Sequence, residues 1–154
     1  MNQRYESSAV YLDDEEARPE FPANPVQEHQ ITTYPGSRLP HAWLNHRIPG
    51  KKFSTQDVAG HGAFSLFTGI GGEAWRDAAK KAEELLGIKI NVVSIGWMQD
   101  YEDVYFDWAR RREVEEEGCV LVRPDRFVAW RSKSVVENAD DKLVKVLKTV
   151  LARQ

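Results

Sequence analysis

"LFTGIGGEAW", residues 66–75, sets an apolar, β-rich run against Gly69-Ile70-Gly71-Gly72, and a helical pattern begins at once. "GAFSLFT" (62–68) reads as a strand. Residues 73–86, "EAWRDAAKKAEELL", carry apolar side chains at 74, 75, 78, 79, 82, 85 and 86, the stripe of an amphipathic helix. Gly87 supplies a natural stop just past its end. "IKINVVSIG" (88–96), centred on Val92-Val93, reads as a second strand. The opening stretch is therefore the first turn of a β-α-β unit, and such units are parallel and right-handed as a rule.

Beyond it, "EDVYFDWARRREVEEE" (102–117) reads as a second helix of mixed charge with internal ion pairs, ended by Gly118. "CVLVR" (119–123) and "FVAWR" (127–131), joined through Pro124-Asp125-Arg126, read as a β-hairpin. Asn138 is an expected N-cap with Asp141 in the first turn. Leu143, Leu147, Val150 and Leu151 make the apolar face of a C-terminal helix. Lys142, Lys145 and Lys148 lie on its solvated face. A βαβ unit followed by ββα around a mixed sheet is the α/β arrangement of the thioredoxin fold.

Every proline except Pro124 lies before residue 50. "LDDEEARPEFPANP" (12–25) has little to bury, so residues 1–38 read as an extended, Pro-rich arm or linker from a preceding domain. Residues 39–154 are then the thioredoxin-like domain. "SSAVYL" (7–12) reads as a short strand that pairs elsewhere. The 154 residues suit one domain with a real core. A net charge of −3 gives no electrostatic pull toward nucleic acid or an anionic membrane. No apolar run approaches the roughly 20 residues of a membrane span, and the start lacks a signal peptide's apolar segment. The expectation is a soluble, cytoplasmic protein with neither nucleic acid nor membrane as partner.

The glycine turn admits three chemistries. Residues 69–74, G-I-G-G-E-A, match G-x-G-x-x-G/A after a strand and before a helix, as a dinucleotide site requires. Three features oppose that reading. The second strand ends in Ser94-Ile95-Gly96-Trp97, without the acidic residue that holds a ribose. Glu73 competes with a phosphate for the positive helix end. One βαβ unit is also too little for a dinucleotide fold. A redox loop is excluded because Thr68 through Ala74 contain no cysteine, and disulfide exchange needs a thiolate. The remaining reading makes Gly69, Gly71 and Gly72 a structural turn that permits close backbone approach.

No other chemistry gathers. Cys119 is the one cysteine and reads as a buried small side chain in a strand. His29, His41, His46 and His61 have no zinc-site spacing, so no metal site is expected. Ser65 and Ser94 lack a nucleophile-elbow context. Trp75, Trp97, Trp108 and Trp130 are expected to pack into the core, with Trp43 an anchor for the segment before the fold. No catalytic residue and no cofactor-binding residue stands out.

"YPGSRLPHAWL" (34–44), "FSTQD" (53–57), "FSLFTGIGGEAW" (64–75) and "GCVLVRPDRFVAWR" (118–131), in this order, resemble the C-terminal domain of flavin-dependent aromatic hydroxylases, above all the phenol and 2,4-dichlorophenol monooxygenase group. The likeness runs over nearly the whole chain. It implies a thioredoxin-like domain without redox cysteines that serves structure and subunit contact, while FAD and the phenol are held by preceding domains. Those domains carry an N-terminal G-x-G-x-x-G, an Asp-Gly and a Gly-Asp motif. This chain has no Asp-Gly or Gly-Asp, and its one glycine motif falls where the family has a structural turn. The family often has Gly after Pro-Asp in the hairpin, where this chain has Arg126.

The resemblance thus implies a fragment, a truncated product or a separately encoded module. It would bind no cofactor itself, and its parent reaction would be ortho-hydroxylation of a phenol by FAD, NADPH and O2. A flavoprotein catalytic domain or a second copy is the implied partner. Arg38 and His41 of "GSRLPH" are the expected polar anchors of an interdomain or subunit contact. The alternative is a stand-alone module: a thioredoxin-like enzyme, or a small-molecule binder using a pocket between the Gly69–Gly72 turn and Trp97.

Overall fold

A computed structural model of the chain describes residues 10–13, 15, 31–46 and 51–152. Its elements, in chain order, are β1 (Trp43–Asn45), β2 (Phe53–Ser54), α1 (Thr55–Val58), β3 (Phe64–Thr68), α2 (Glu73–Leu86), β4 (Ile90–Ser94), β5 (Glu102–Asp103), α3 (Asp107–Arg111), β6 (Cys119–Val122), β7 (Val128–Ser132) and α4 (Ala139–Val150).

The main sheet has four strands in the order β4-β3-β6-β7. Strand β3 runs parallel to β4 and antiparallel to β6, and β6 runs antiparallel to β7. All five side chains of β3 are buried, as a central strand covered on both faces requires. The period of two along β3 and β6 divides the core, and a register irregularity between β6 and β7 puts Val128 and Trp130 in opposite layers. Leu66, Cys119, Leu121 and Trp130 face one layer, where Trp75, Ala78, Ala79 and Ala82 of α2 meet Leu143, Val146 and Leu147 of α4. Phe67, Val93, Val120, Val122 and Val128 face the other, with Trp108 of α3 and with Leu39, Ala42 and Leu44. The mixed α/β fold expected from the sequence is therefore present, with α2 and α4 together on one side of the sheet.

A second sheet, order β2-β1-β5, is antiparallel throughout. Ser54 caps α1: its hydroxyl accepts from Gln56 N–H at 3.2 Å, and Asp57 accepts from Ser54 N–H at 3.2 Å. This is a capping box, formed by Ser54 and Asp57 of "FSTQD".

The segment before β1 runs along the outer edge of β7. Gly36 N–H donates to Val128 O at 2.7 Å, Val128 N–H to Ser37 O at 2.8 Å and Leu39 N–H to Arg126 O at 2.9 Å. Tyr11 N–H reaches Ala129 O at 2.7 Å. Residues 32–37 are buried. Glu113 accepts from Thr32 Oγ1 and Thr33 N–H, each at 2.6 Å, and Arg131 pairs with Glu15.

Four expectations need correction. The helix placed over 102–117 is only α3; Glu102–Asp103 instead pairs with β1, and Glu113 takes a left-handed φ of 60°, which helix cannot continue. Asp103 of that strand caps α3 from outside, accepting from Trp108 N–H at 3.2 Å and Ala109 N–H at 2.9 Å. Asn138 precedes α4 but its side chain makes no cap bond. Trp97 is not core; it is 77% exposed. Val10–Leu12 form no strand, and the rest of "SSAVYL" lies outside the described residues. Arg126 does occupy the positive-φ position of the hairpin, at 69°.

Candidate functional site

The glycine turn is built by close packing. A Cβ at Gly69 would stand 2.7 Å from Glu116 O and 3.1 Å from Ile95 O; one at Gly72 would run into the Thr68 side chain. Gly71 has a φ of +85°. The loop before β6 is pinned over the turn: Thr68 Oγ1 donates to Gly118 O at 2.7 Å, and Trp75 Nε1–H donates to Glu117 O at 2.8 Å. Gly72 N–H is spent on Gly69 O at 3.1 Å. A phosphate needs convergent N–H donors at a helix start. Carbonyl oxygens crowd this turn instead, and α2 begins with the carboxylate of Glu73.

Cys119 is fully buried in β6, and burial pushes its thiol far up from its ordinary value, so it holds no thiolate for redox or nucleophilic work. Among the described residues no three His, Cys, Asp or Glu side chains gather as a metal site. No described helix is long and apolar enough to cross a membrane.

Arg38 and His41 are not brought to one point. Arg38 is exposed and pairs through its backbone with Phe127. His41 Nδ1 and Ser54 Oγ share a hydrogen bond of 2.7 Å, and its ring stands edge-on to Trp43 at 4.7 Å. Since Ser54 Oγ already accepts from Gln56 N–H, its proton is free for His41 Nδ1. The His41 carbonyl accepts from Arg111.

Beside the glycine turn lies a groove of about 350 Å³, lined by Ile70, Ile95, Trp97, Phe106, Trp108 and Arg112. Trp97, Met98 and Phe106 are 77%, 73% and 69% exposed. Met98 and Phe106 hold positive φ values of 61° and 58°, sparsely populated for bulky residues. Gly96 makes room for the wall: a Cβ there would lie 3.1 Å from Ile70. Sequence reasoning placed Trp97 in the core because it follows a strand; the flanking Gly96 and Gln99-Asp100 were the signal of a surface loop. A larger polar cavity of about 700 Å³ opens near Arg131, Lys133, Lys142 and Lys145. There Lys142 pairs with Asp13 at 2.8 Å and Arg131 with Glu15 at 2.6 Å.

Residues 32–153 match the sequence pattern of the aromatic-ring hydroxylase C-terminal family. The chain belongs to this family. It is 46% identical over 147 residues to phenol 2-monooxygenase of Pseudomonas sp. (strain EST1001), covering 96% of this chain and 24% of that protein. It is 43% identical over 155 residues to 2,4-dichlorophenol 6-monooxygenase of Cupriavidus pinatubonensis (strain JMP 134 / LMG 1197), covering 100% and 25%. The crystal structure of the flavin-dependent monooxygenase PieE in complex with FAD and substrate matches with a TM-score of 0.88 at 42% identity, over 98% of this chain and 25% of that one. The chain spans about a quarter of the length of these relatives; of the family stretches quoted from its sequence, 34–44 runs along β7 into β1, 53–57 covers β2 and the start of α1, and the other two fall in β3 with the glycine turn and in the β6–β7 hairpin. Within this family member, the glycine turn does not fit the pyrophosphate of FAD, because carbonyl oxygens take the place of donors.

Proposed function

We propose that this chain is the non-catalytic C-terminal accessory domain of an FAD-dependent phenol or chlorophenol hydroxylase. It acts by contact, either with the flavoprotein region that holds FAD, NADPH and the phenol or with a second copy of the chain. Residues 39–154 form the domain and residues 1–38 its lead-in, with Arg38 and His41 at the contact. The observation that carries this reading is the near-complete coverage of the chain by one quarter of proteins named for phenol hydroxylation. The inert Cys119 and the carbonyl-lined turn support it: neither can bring a redox group to a substrate.

The test is a titration of the purified chain with FAD, followed by the visible flavin band and by flavin fluorescence. No saturable change at tens of micromolar is the expected result. Stoichiometric binding would overturn the reading and make the chain a flavoprotein in its own right.

A further inference from the structure

Trp97, Met98, Phe106 and Ile70 are large, apolar and exposed. They are also neighbours: Ile70, Trp97 and Phe106 line one groove, and Met98 follows Trp97 in the chain. The backbone holds two of them out at a cost, since Met98 and Phe106 keep φ values of 61° and 58° that bulky side chains avoid. An apolar patch rimmed by polar groups marks a surface that another protein covers. Trp, Phe and Met are the residues enriched at such contacts.

Two observations select the occupant. The first is charge. The groove's ionisable lining is Glu102, Asp103 and Glu116 against Arg112. A second copy docked through the same face would bring this acidic rim against itself, which costs binding energy. A partner with a basic flank is attracted instead. The second is position. The groove sits where β3 and β4 end and β6 begins. The lead-in is stitched to its wall: Thr33 Oγ1 donates to the carbonyl of groove-lining Arg112 at 2.5 Å, and Glu113 accepts from Thr32 and Thr33. Arg131 binds Glu15, Thr33 and Glu113 together at the same place. In the relatives this domain is C-terminal and makes up about a quarter of the protein, so the remainder reaches it through the matching lead-in. A body tethered there is held at high local concentration over the groove.

We propose that the face made by Ile70, Trp97, Met98 and Phe106 docks the flavin-holding region that precedes this domain in its relatives. The segment seated in the groove is an apolar ridge flanked by lysine or arginine. Trp97 and Phe106 are the anchors, and Ile95 and Trp108 form the floor. The inference rests on the accessory-domain reading and goes beyond it in naming the face and the chemistry of its partner. Arg38, which pairs with Phe127 at the far end of β7, lies outside this face.

The test compares the full chain alone with the full chain fused in place of the matching quarter of PieE, the flavin-dependent monooxygenase whose structure holds FAD. A TM-score of 0.88 at 42% identity makes the exchange close to like for like. Hydroxyl-radical footprinting read by mass spectrometry reports each side chain. Trp97, Met98 and Phe106 should be oxidised readily in the free chain and several-fold more slowly in the fusion. Leu85, exposed on α2, should react alike in both. The double variant Trp97→Asp, Phe106→Asp should leave the thermal midpoint of the free chain unchanged and lower the temperature at which the fusion releases flavin. Glu116→Lys, which reverses a rim charge, should lower that temperature more at low salt than at high salt.

A fusion that holds no FAD, protection of the three residues no greater than that of Leu85, or parent-like flavin release by either variant would overturn the proposal. So would self-association of the free chain, seen by sedimentation, that Trp97→Asp abolishes; the face would then belong to a second copy. The two readings fail separately: FAD binding by the free chain sinks the accessory-domain reading, whereas parent-like variants of a chain that binds no FAD sink this one alone.

Discussion

Arg131 holds Glu15 by two parallel bonds, Nε to Oε1 at 2.6 Å and Nη2 to Oε2 at 2.9 Å, across 116 residues of sequence. Both side chains are under 10% exposed. Burial works against the charged guanidinium, but the Glu15 bonds and the Glu15 and Glu113 charges outweigh it and raise its pKa. Breaking a buried pair from one side leaves an uncompensated charge. Arg131→Ala is expected to cost about 3–5 kcal/mol, and Glu15→Gln, which keeps shape and one acceptor, about 1–3 kcal/mol. Urea unfolding measures both.

Cys119 gives a pH signature. Its thiol is raised in the folded state by burial, whereas the unfolded thiol keeps its ordinary value of 9.0. The stabilisation is complete below pH 9 and declines as pH rises above it, because only the unfolded chain ionises there. Unfolding midpoints taken from pH 7 to pH 10.5 should fall more steeply for the parent than for Cys119→Ala. A thiol reagent at pH 8 should react only with unfolded protein.

Gly69→Ala places a methyl 2.7 Å from a backbone oxygen, which cannot swing aside like a side-chain tip. A loss of about 1–3 kcal/mol is expected from this overpacking, read as a lowered thermal midpoint. Gly71→Ala meets no close backbone atom, and its loss should come from its positive φ, about 1 kcal/mol.

At the hairpin, Arg126 combines strain with a bond: φ is 69°, and Nε donates to Gln56 O at 2.6 Å. Arg126→Gly relieves the strain and loses the bond, so the two changes offset. Arg126→Ala keeps the strain and loses the bond. The glycine variant should exceed the alanine variant in stability by about 1 kcal/mol, in one denaturant series.

Two tryptophans separate surface from core. Trp97→Ala should change stability by no more than about 0.5 kcal/mol. Trp108→Ala, which empties a site packed against Phe67, should cost about 3–5 kcal/mol.

What the sequence made legible follows from where its signals are local. α2 and β3–β4 carry clear periods bounded by glycines, and Pro124-Asp125 marks the hairpin, so all were readable. Glu102–Asp103 was not, because its strand exists only by pairing with Leu44 and Asn45, nearly 60 residues earlier. The end of α3 depends on Glu113, whose left-handed turn is held by Thr32, Thr33 and Arg131. The groove was foreseen only as an alternative, since exposure of Trp97 and Phe106 is set by loop geometry rather than composition.

The outer strand of the main sheet owes its ending to residues far from the hairpin. Gly36, Ser37, Leu39 and Tyr11 take the backbone groups of β7 and of Arg126 that would otherwise face water. A row of such groups left bare is a template on which another chain can add a strand. Trimming the chain to its regular elements would therefore trade solubility for compactness: a product starting near Leu39 should form oligomers or aggregate at concentrations where the full chain does not.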